Sequence, residues 1–293
     1  MESHDVIIVG GGPTGLSAAR RLTDLGIHDV VVLEREALAG GIPRHCGHFG
    51  FGWQSHKRLW TGPRFAAELR KSTKGLDVRT AATVLELLKD GQLRIQTPSG
   101  LGEMTAKHIL IATGTRETPR SARLVGGSRP QGVMNTGALQ QHVYLHHNKP
   151  FARPVIIGSE LVSFSALLTC RHLGIRPVAM LEENPHISGP RPGGLIARLV
   201  FGVPVRTSTK LISIEGRKDV EAVEIERRGM RERIICDGVI FTGQFRPETA
   251  LIPTGLPSEK FSSAGNVLGP LKTSGECWQQ GVLAAETIAK GLA

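Results

Sequence analysis

Apolar residues in this chain come in two textures: short unbroken runs, and runs spaced at three and four. The first unbroken run, Val6-Ile7-Ile8-Val9, predicts a strand buried on both faces. Leu16, Ala19, Leu22 and Leu25 then recur at helical spacing, and Val30 to Leu33 form a second apolar run. Strand, helix and strand in that order predict a βαβ unit with a parallel sheet. The same texture returns further on, with a strand at Val155–Ile157, a helix over Leu161–Leu173 and a strand at Val178–Leu181. The chain therefore carries an internal duplication of one βαβ unit. Between the copies, Phe65 and Leu69 mark a helix over 61–72, and Val78–Leu88, Leu93–Thr97 and Ala106–Ala112 read as β segments separated by turn residues. Residues 116–154 are polar, basic and loop-like, as expected of a domain crossover. After the second copy, Lys210–Glu215, Val220–Arg227 and Arg233–Cys236 predict a β-meander, and Thr273 to Lys290 a final helix.

The loop joining strand to helix in the first copy gives it a chemistry. Gly10-x-Gly12-x-x-Gly15 lies there, and Glu34 closes the unit 24 positions after Gly10. In such a loop the first glycine permits a tight turn, the second lets backbone approach a pyrophosphate, and the third lets helix and strand pack closely. The helix N-terminus offers N–H groups and partial positive charge to phosphates, and Pro13 costs nothing at a first turn. An acid at the end of the second strand can accept hydrogen bonds from a ribose. In the second copy Gly158 remains, but Glu160 and Ser163 replace the other two glycines, with Glu182 at the end. A carboxylate at position 160 obstructs the backbone approach and repels a pyrophosphate, which weakens the case for NAD(P) there.

Composition narrows the classes. The 293 residues suffice for two domains, and 40% hydrophobic with 21% charged residues describes an ordinary folded protein. Residues 1–5 lead straight into the first strand, and no apolar stretch approaches ~20 residues. The expectation is a cytoplasmic protein with no membrane segment. Cys46, Cys170, Cys236 and Cys277 are too far apart for a CxxC redox pair, zinc knuckle or iron–sulfur run. The net charge of +10 comes from scattered basic residues without interleaved aromatics, so a solvated face or an acidic partner chain is favoured over nucleic acid. His142, His146 and His147 have helical spacing but no acid or thiol to complete a metal site.

Four stretches together resemble a known superfamily, the pyridine nucleotide–disulfide oxidoreductase flavoproteins. They are GGGPTGLSAARRL with VVLERE, AKHILIATGTRETPR, residues 155–182 with CDGVIFTGQFRPE, and the C-terminal SAGN with its helix. The resemblance implies an α/β fold of glutathione-reductase type: two Rossmann-like dinucleotide-binding domains, the second inserted into the first. A discontinuous FAD domain would span 1–115 plus 246–293, and an NAD(P)-type domain 116–245. GGIPRHCGHFGFG and residues 153–180 look most similar to a disulfide-free branch that includes FAD subunits of hydroxyproline dehydrogenase, opine oxidase and cyanide synthase. By this resemblance Gly10, Gly12, Pro13, Thr14 and Gly15 hold the FAD pyrophosphate, and Glu34 the adenosine ribose, with Arg35 beside it. Gly41 lies near the flavin, Val84 near adenine, and Ala112, Thr113 and Gly114 near the pyrophosphate and adenosine half. Gly265 and Asn266 meet the ribityl chain, and Thr273 and Ser274 the pyrimidine edge of the flavin ring. Two departures stand out: Asn266 replaces the usual Asp, and Glu248–Ser263 is shorter than the family's hairpin-bearing stretch.

Flavin chemistry needs little from the protein beyond placement. The side chains that could add more are His45, as a base, and Cys46, as a thiolate between cations. The competing account is that both pack the flavin pocket or meet a partner chain. Cys277-Trp278, at the start of the last helix, reads as packing. The expectation is an FAD-dependent oxidoreductase that takes a hydride from a small amine or imino-acid donor and passes electrons to a partner subunit or acceptor. An NAD(P)H-dependent FAD reductase and a non-catalytic subunit without flavin are the alternatives.

Overall fold

A computed structural model of the chain describes residues 1–88, 90–189, 192–252, 255 and 259–292. Its helices are α1 (Pro13–Asp24), α2 (Trp53–His56), α3 (Gly62–Ser72), α4 (Thr136–Tyr144), α5 (Leu161–His172), α6 (Gly193–Phe201) and α7 (Ser274–Leu292). None of the described helices is long and apolar enough to cross a membrane. The chain forms two compact units, one of Met1–Arg44, Phe49–Arg116 and Arg246–Ala293, the other of His45–His48 and Glu117–Phe245. It passes between them along a two-stranded ribbon, Thr115–Glu117 paired with Phe245–Pro247.

The first unit is built on a seven-stranded sheet ordered Asp77–Arg79, Val30–Leu33, Glu2–Val9, Gly100–Ile111, Gln92–Thr97, Thr83–Leu87. Phe261–Ser263 adds alongside the far half of Gly100–Ile111. One face carries α1, α3 and α7, where Val6 and Ile8 pack with Leu16, Leu22, Phe65, Leu69, Ala285 and Ile288. On the other side Ile7 and Val9 pack with Val84, Leu93, Ile95 and Met104 of the antiparallel strands that continue the same sheet. Burial on both faces is why Val6–Val9 reads as an unbroken apolar run. The β segment expected over Val78–Leu88 is two strands at separate places in the sheet. Ala81, at φ +52, turns the chain between them, and the N–H groups of Ala81 and Ala82 bond the carbonyls of Glu36 and Glu34. Leu25, expected on the buried helical face, caps α1 and lies exposed.

The second unit has a five-stranded, all-parallel sheet ordered Val133–Asn135, Gly238–Phe241, Pro154–Ile157, Ala179–Leu181, Val205–Arg206. α4, α5 and α6 cover one face through Leu139, Val143, Ala166, Leu167, Cys170 and Ala197. A four-stranded sheet, Gly126–Gly127, Thr209–Glu215, Ala222–Arg227 and Met230–Ile235, covers the other. The region expected to be loop-like over 116–154 contains α4, capped by Asn135, whose side chain accepts from the Ala138 N–H at 2.8 Å.

Candidate functional site

The glycine turn of the first unit separates packing needs from something else. Gly10 adopts φ +113, and a Cβ there would collide with the Ala112 carbonyl, while a Cβ on Gly15 would collide with Gly10 O. Both glycines are required by the fold itself. Gly12 is not: a Cβ built on it meets only Gly41 Cα, at 3.9 Å. The chain thus leaves its backbone bare at Gly12 where no protein atom demands it, at the N-cap of α1. No side chain caps that end, and Pro13 occupies its first turn. The first-turn N–H groups of α1 and the open space at Gly12 form a cradle suited to a pyrophosphate.

Neighbouring segments converge on this cradle. Gly40 N donates to Gly11 O at 2.7 Å, and Gly41, at φ +61, packs so closely on the turn that its Cβ would stand 3.0 Å from Gly12 Cα. Glu34 is buried, its Oε2 accepting from Gly11 N and its Oε1 from Glu36 N, both at 2.9 Å. Each oxygen keeps a lone pair for a ribose hydroxyl. Arg35 is exposed. Ala112 N bonds Val9 O, the Thr113 hydroxyl bonds Glu248 O at 2.8 Å, and Gly114 O accepts from Glu248 N at 2.9 Å. Val84 sits on the edge strand Thr83–Leu87 opposite Ile95, with its side chain in the core, so its contribution to a ligand is limited to backbone. The expected shortening of Glu248–Ser263 involves residues 253–254 and 256–258, which lie outside the described residues.

The C-terminal turn reaches the same place. A Cβ on Gly265 would collide with Thr14 Oγ1, and one on Gly281 with the Thr14 carbonyl and Ser17 Oγ. Ser17 Oγ donates to Trp278 O at 2.8 Å, tying α1 to α7. Thr14 turns its side chain toward Gly265 and Cys277, leaving only its N–H for a phosphate. Asn266 is committed to its own loop. Its Nδ2 donates to Lys272 O at 3.1 Å and its Oδ1 accepts from Lys272 N at 2.7 Å. An aspartate cannot donate to that carbonyl, which explains the asparagine. Thr273 and Glu276 form a capping box on α7, with Thr273 N donating to Glu276 Oε2 and Glu276 N to Thr273 Oγ1. Ser274, the first residue of α7, is half-buried beside them.

Two side chains at this turn escaped the sequence reading. Gln280 Oε1 accepts from Gly265 N at 2.9 Å, and Gln54 Oε1 lies 2.7 Å from Thr273 Oγ1, over the start of α7. Both act through tertiary contacts that no local pattern signals. Behind them His56 packs among Trp60, Phe65 and Trp278, with ring centroids at 5.1, 5.9 and 5.8 Å. Burial lowers the His56 pKa and favours the neutral ring.

His45 ends the short Ile42–His45 helix after Gly41, and Cys46 follows it. They belong to the second unit, where Cys46 Sγ donates to Gln140 Oε1 at 3.3 Å and Gln140 Nε2 donates to Ser165 Oγ at 2.7 Å. A Cβ on Gly47 would collide with the Tyr144 ring, so this segment lies hard against α4. Burial, aided by the Glu117 charge, pushes the Cys46 thiol up to about 12. A thiolate nucleophile needs the opposite shift, so Cys46 here is a protonated donor. His45 is buried beside it. All four cysteines are free and buried. His142 and His146 face each other at 6.2 Å, and no group of metal-binding side chains occurs among the described residues.

Residues 4–261 match the family model described as "Pyridine nucleotide-disulphide oxidoreductase". Among curated proteins, the chain is 23% identical over 261 residues to the alpha chain of sarcosine oxidase, a subunit of the Rhizobium meliloti (strain 1021) enzyme, covering 83% of this chain and 24% of that protein. It is 24% identical over 296 residues to an opine oxidase subunit of the same organism, covering 92% of this chain and 63% of the relative. The chain thus spans less than two thirds of either relative's length. Among solved structures, thioredoxin reductase of T. acidophilum superposes with a TM-score of 0.78 at 20% identity, covering 99% of both chains.

Proposed function

Because the chain belongs to the pyridine nucleotide-disulphide oxidoreductase family, whose members are FAD-binding flavoproteins, we propose that it is a dehydrogenase whose first unit holds FAD, oxidises a small amine or imino-acid donor and passes electrons to a partner subunit or acceptor. The observation that carries the cofactor is the bare backbone at Gly12, which the fold does not require and a pyrophosphate does. The donor class rests on the two relatives named for sarcosine and opine oxidation. The same names, both of subunits, support a partner for the electrons.

Bound FAD would supply the hydride acceptor. The chain's own residues bind and orient. Gly12, Pro13, Thr14 and Gly15 present backbone to the pyrophosphate, and Gly10 keeps the turn tight enough to do so. Glu34 receives the ribose hydroxyls on lone pairs already aligned by the Gly11 and Glu36 N–H groups. Ala112, Thr113, Gly114 and the Val84 backbone border the pyrophosphate and adenosine half, and Gly41 the flavin side. Gly265 lines the ribityl side, and Asn266 serves it by holding the 266–272 turn. The first turn of α7, at Thr273 and Ser274, offers partial positive charge to electron density on the ring. No side chain is assigned a proton-transfer role, and the raised pKa of Cys46 disfavours a thiolate there.

The test is anaerobic reduction of the purified flavoprotein by secondary amino acids, sarcosine and proline among them, with no other electron acceptor present. Bleaching of the flavin band by at least one is expected. A flavin-loaded protein that no amine or imino acid reduces, with or without partner chains, contradicts the donor class.

A further inference from the structure

The second unit has its ligand crevice filled from within. In an open parallel sheet that crevice lies beyond the carboxyl ends of the strands, here Pro154–Ile157, Ala179–Leu181 and Gly238–Phe241. Gly158, at φ +115, still makes the turn under Thr242. Ser163, at the third glycine position, hydrogen-bonds Thr242 through hydroxyls 2.7 Å apart. Glu160, at the second, lays its carboxylate over the Gly243 α-carbon, where a Cβ on Gly243 would collide with both oxygens. It accepts from the Gln244 N–H, while Oε2 is buried with no hydrogen-bond partner among the described residues. Arg123 supplies the nearby positive charge, but its Nη2 already donates to Thr242 O and Gly243 O, at 3.0 and 2.9 Å.

The ribose end is closed as well. Glu182, the counterpart of Glu34, accepts from Ser159 Oγ, from Asn184 N and Nδ2 at 2.9 and 2.8 Å, and from Ser188 Oγ at 3.1 Å. Ser188 N donates to Ser159 Oγ at 2.9 Å, and a Cβ on Gly189 would stand 2.6 Å from Ser159 O. Residues 184–189 are therefore folded back across the turn that a nucleotide would approach. The contrast with Gly12, which meets almost nothing, is between an open cradle and a filled one.

We infer that this unit's pyridine-nucleotide site is sealed by the chain itself, with the Glu160 carboxylate occupying the pyrophosphate position and residues 184–189 covering the adenosine position. NADH and NADPH are then neither substrates nor ligands of the protein, and Glu160 is the residue that enforces this. A nucleotide entering here would meet the Glu160 carboxylate in its pyrophosphate's place and compete with it for Arg123, whose Nη2 is already held by two carbonyls. It would also have to displace four hydrogen bonds from Glu182. The inference is independent of which donor reduces the flavin and would survive the loss of the amine reading.

Calorimetric titration of NADH and NADPH into the intact protein, Glu160→Gly and Glu160→Gln tests it by binding alone, with melting temperature as the check on folding. The wild type is expected to show no saturable heat up to millimolar nucleotide. Glu160→Gly should bind at least about tenfold more tightly than the wild-type limit. Glu160→Gln, which loses charge but keeps bulk, should gain less. Micromolar binding by the wild type overturns the inference, and so does a folded Glu160→Gly that gains nothing. If Glu160→Gly does not fold, the glutamine variant decides by the same criterion: a gain supports the inference and none overturns it.

Discussion

Three glycines in one motif carry different duties, and substitution separates them. Gly10 has a left-handed backbone and the Ala112 carbonyl against it, so Gly10→Ala should cost several kcal/mol, on the order of 2–4, in thermal or urea unfolding. Gly12→Ala meets open space at φ −82 and should leave the FAD-free protein within about 0.5 kcal/mol of wild type. It should nevertheless bind FAD at least about tenfold more weakly, by fluorescence titration. Equal effects on stability from the two changes would refute the division of roles. Cys46 yields a pH prediction. Its thiol holds its proton up to about 12 in the folded chain and releases it near 9.0 in the unfolded one. Across that window the native state binds the extra proton, so stability falls as pH rises, by up to about 1.4 kcal/mol per pH unit. Below it the full stability is present. Cys46→Ser keeps a donor for Gln140 but does not titrate there, and should show a shallower loss of melting temperature between pH 9 and 11, where the unfolded thiol ionises and the folded one does not. An identical slope would remove Cys46 as its source.

Among the elements, what was legible was what burial writes into periodicity. The 5–35 βαβ unit reads clearly because its strands are covered on both faces and α1 presents Leu16, Ala19 and Leu22 to the sheet. α4 was hidden because Leu139 and Val143 are its fully buried apolar anchors, while the buried Gln140 is held by tertiary bonds to Cys46 and Ser165 that no local pattern signals. The break at Ala81 was hidden because an alanine at positive φ carries no local signal. At the C-terminal turn the asparagine was legible but its task was not, since Lys272 becomes its partner only once the loop closes. Asn266→Asp removes the donor and sets a carboxylate oxygen against the Lys272 carbonyl. That change should destabilise the protein by about 1–3 kcal/mol in thermal unfolding. A neutral result would mean the clamp contributes nothing.

At the scale of the whole molecule, the family's two characteristic partners have had different fates. The dinucleotide cradle of the first unit is open at Gly12 and bordered by segments from residues 34–41, 112–114 and 265–281, distant in sequence and adjacent in space. Such convergence depends on tertiary contacts, which is why Gln54 and Gln280 gave no sign in the sequence. The second unit keeps the parallel sheet but has turned its crevice inward on Glu160 and Glu182, and no cysteines pair into a disulfide. On the proposed reading the first unit serves the flavin, and on the inference above the second leaves no free nucleotide crevice. The most direct measurement is the FAD content of the folded protein, read from its visible absorption after purification and after addition of excess FAD. The account predicts one FAD per chain, released intact on denaturation and reduced in amount by Gly12→Ala. A folded, colourless protein that takes up no added FAD would contradict it.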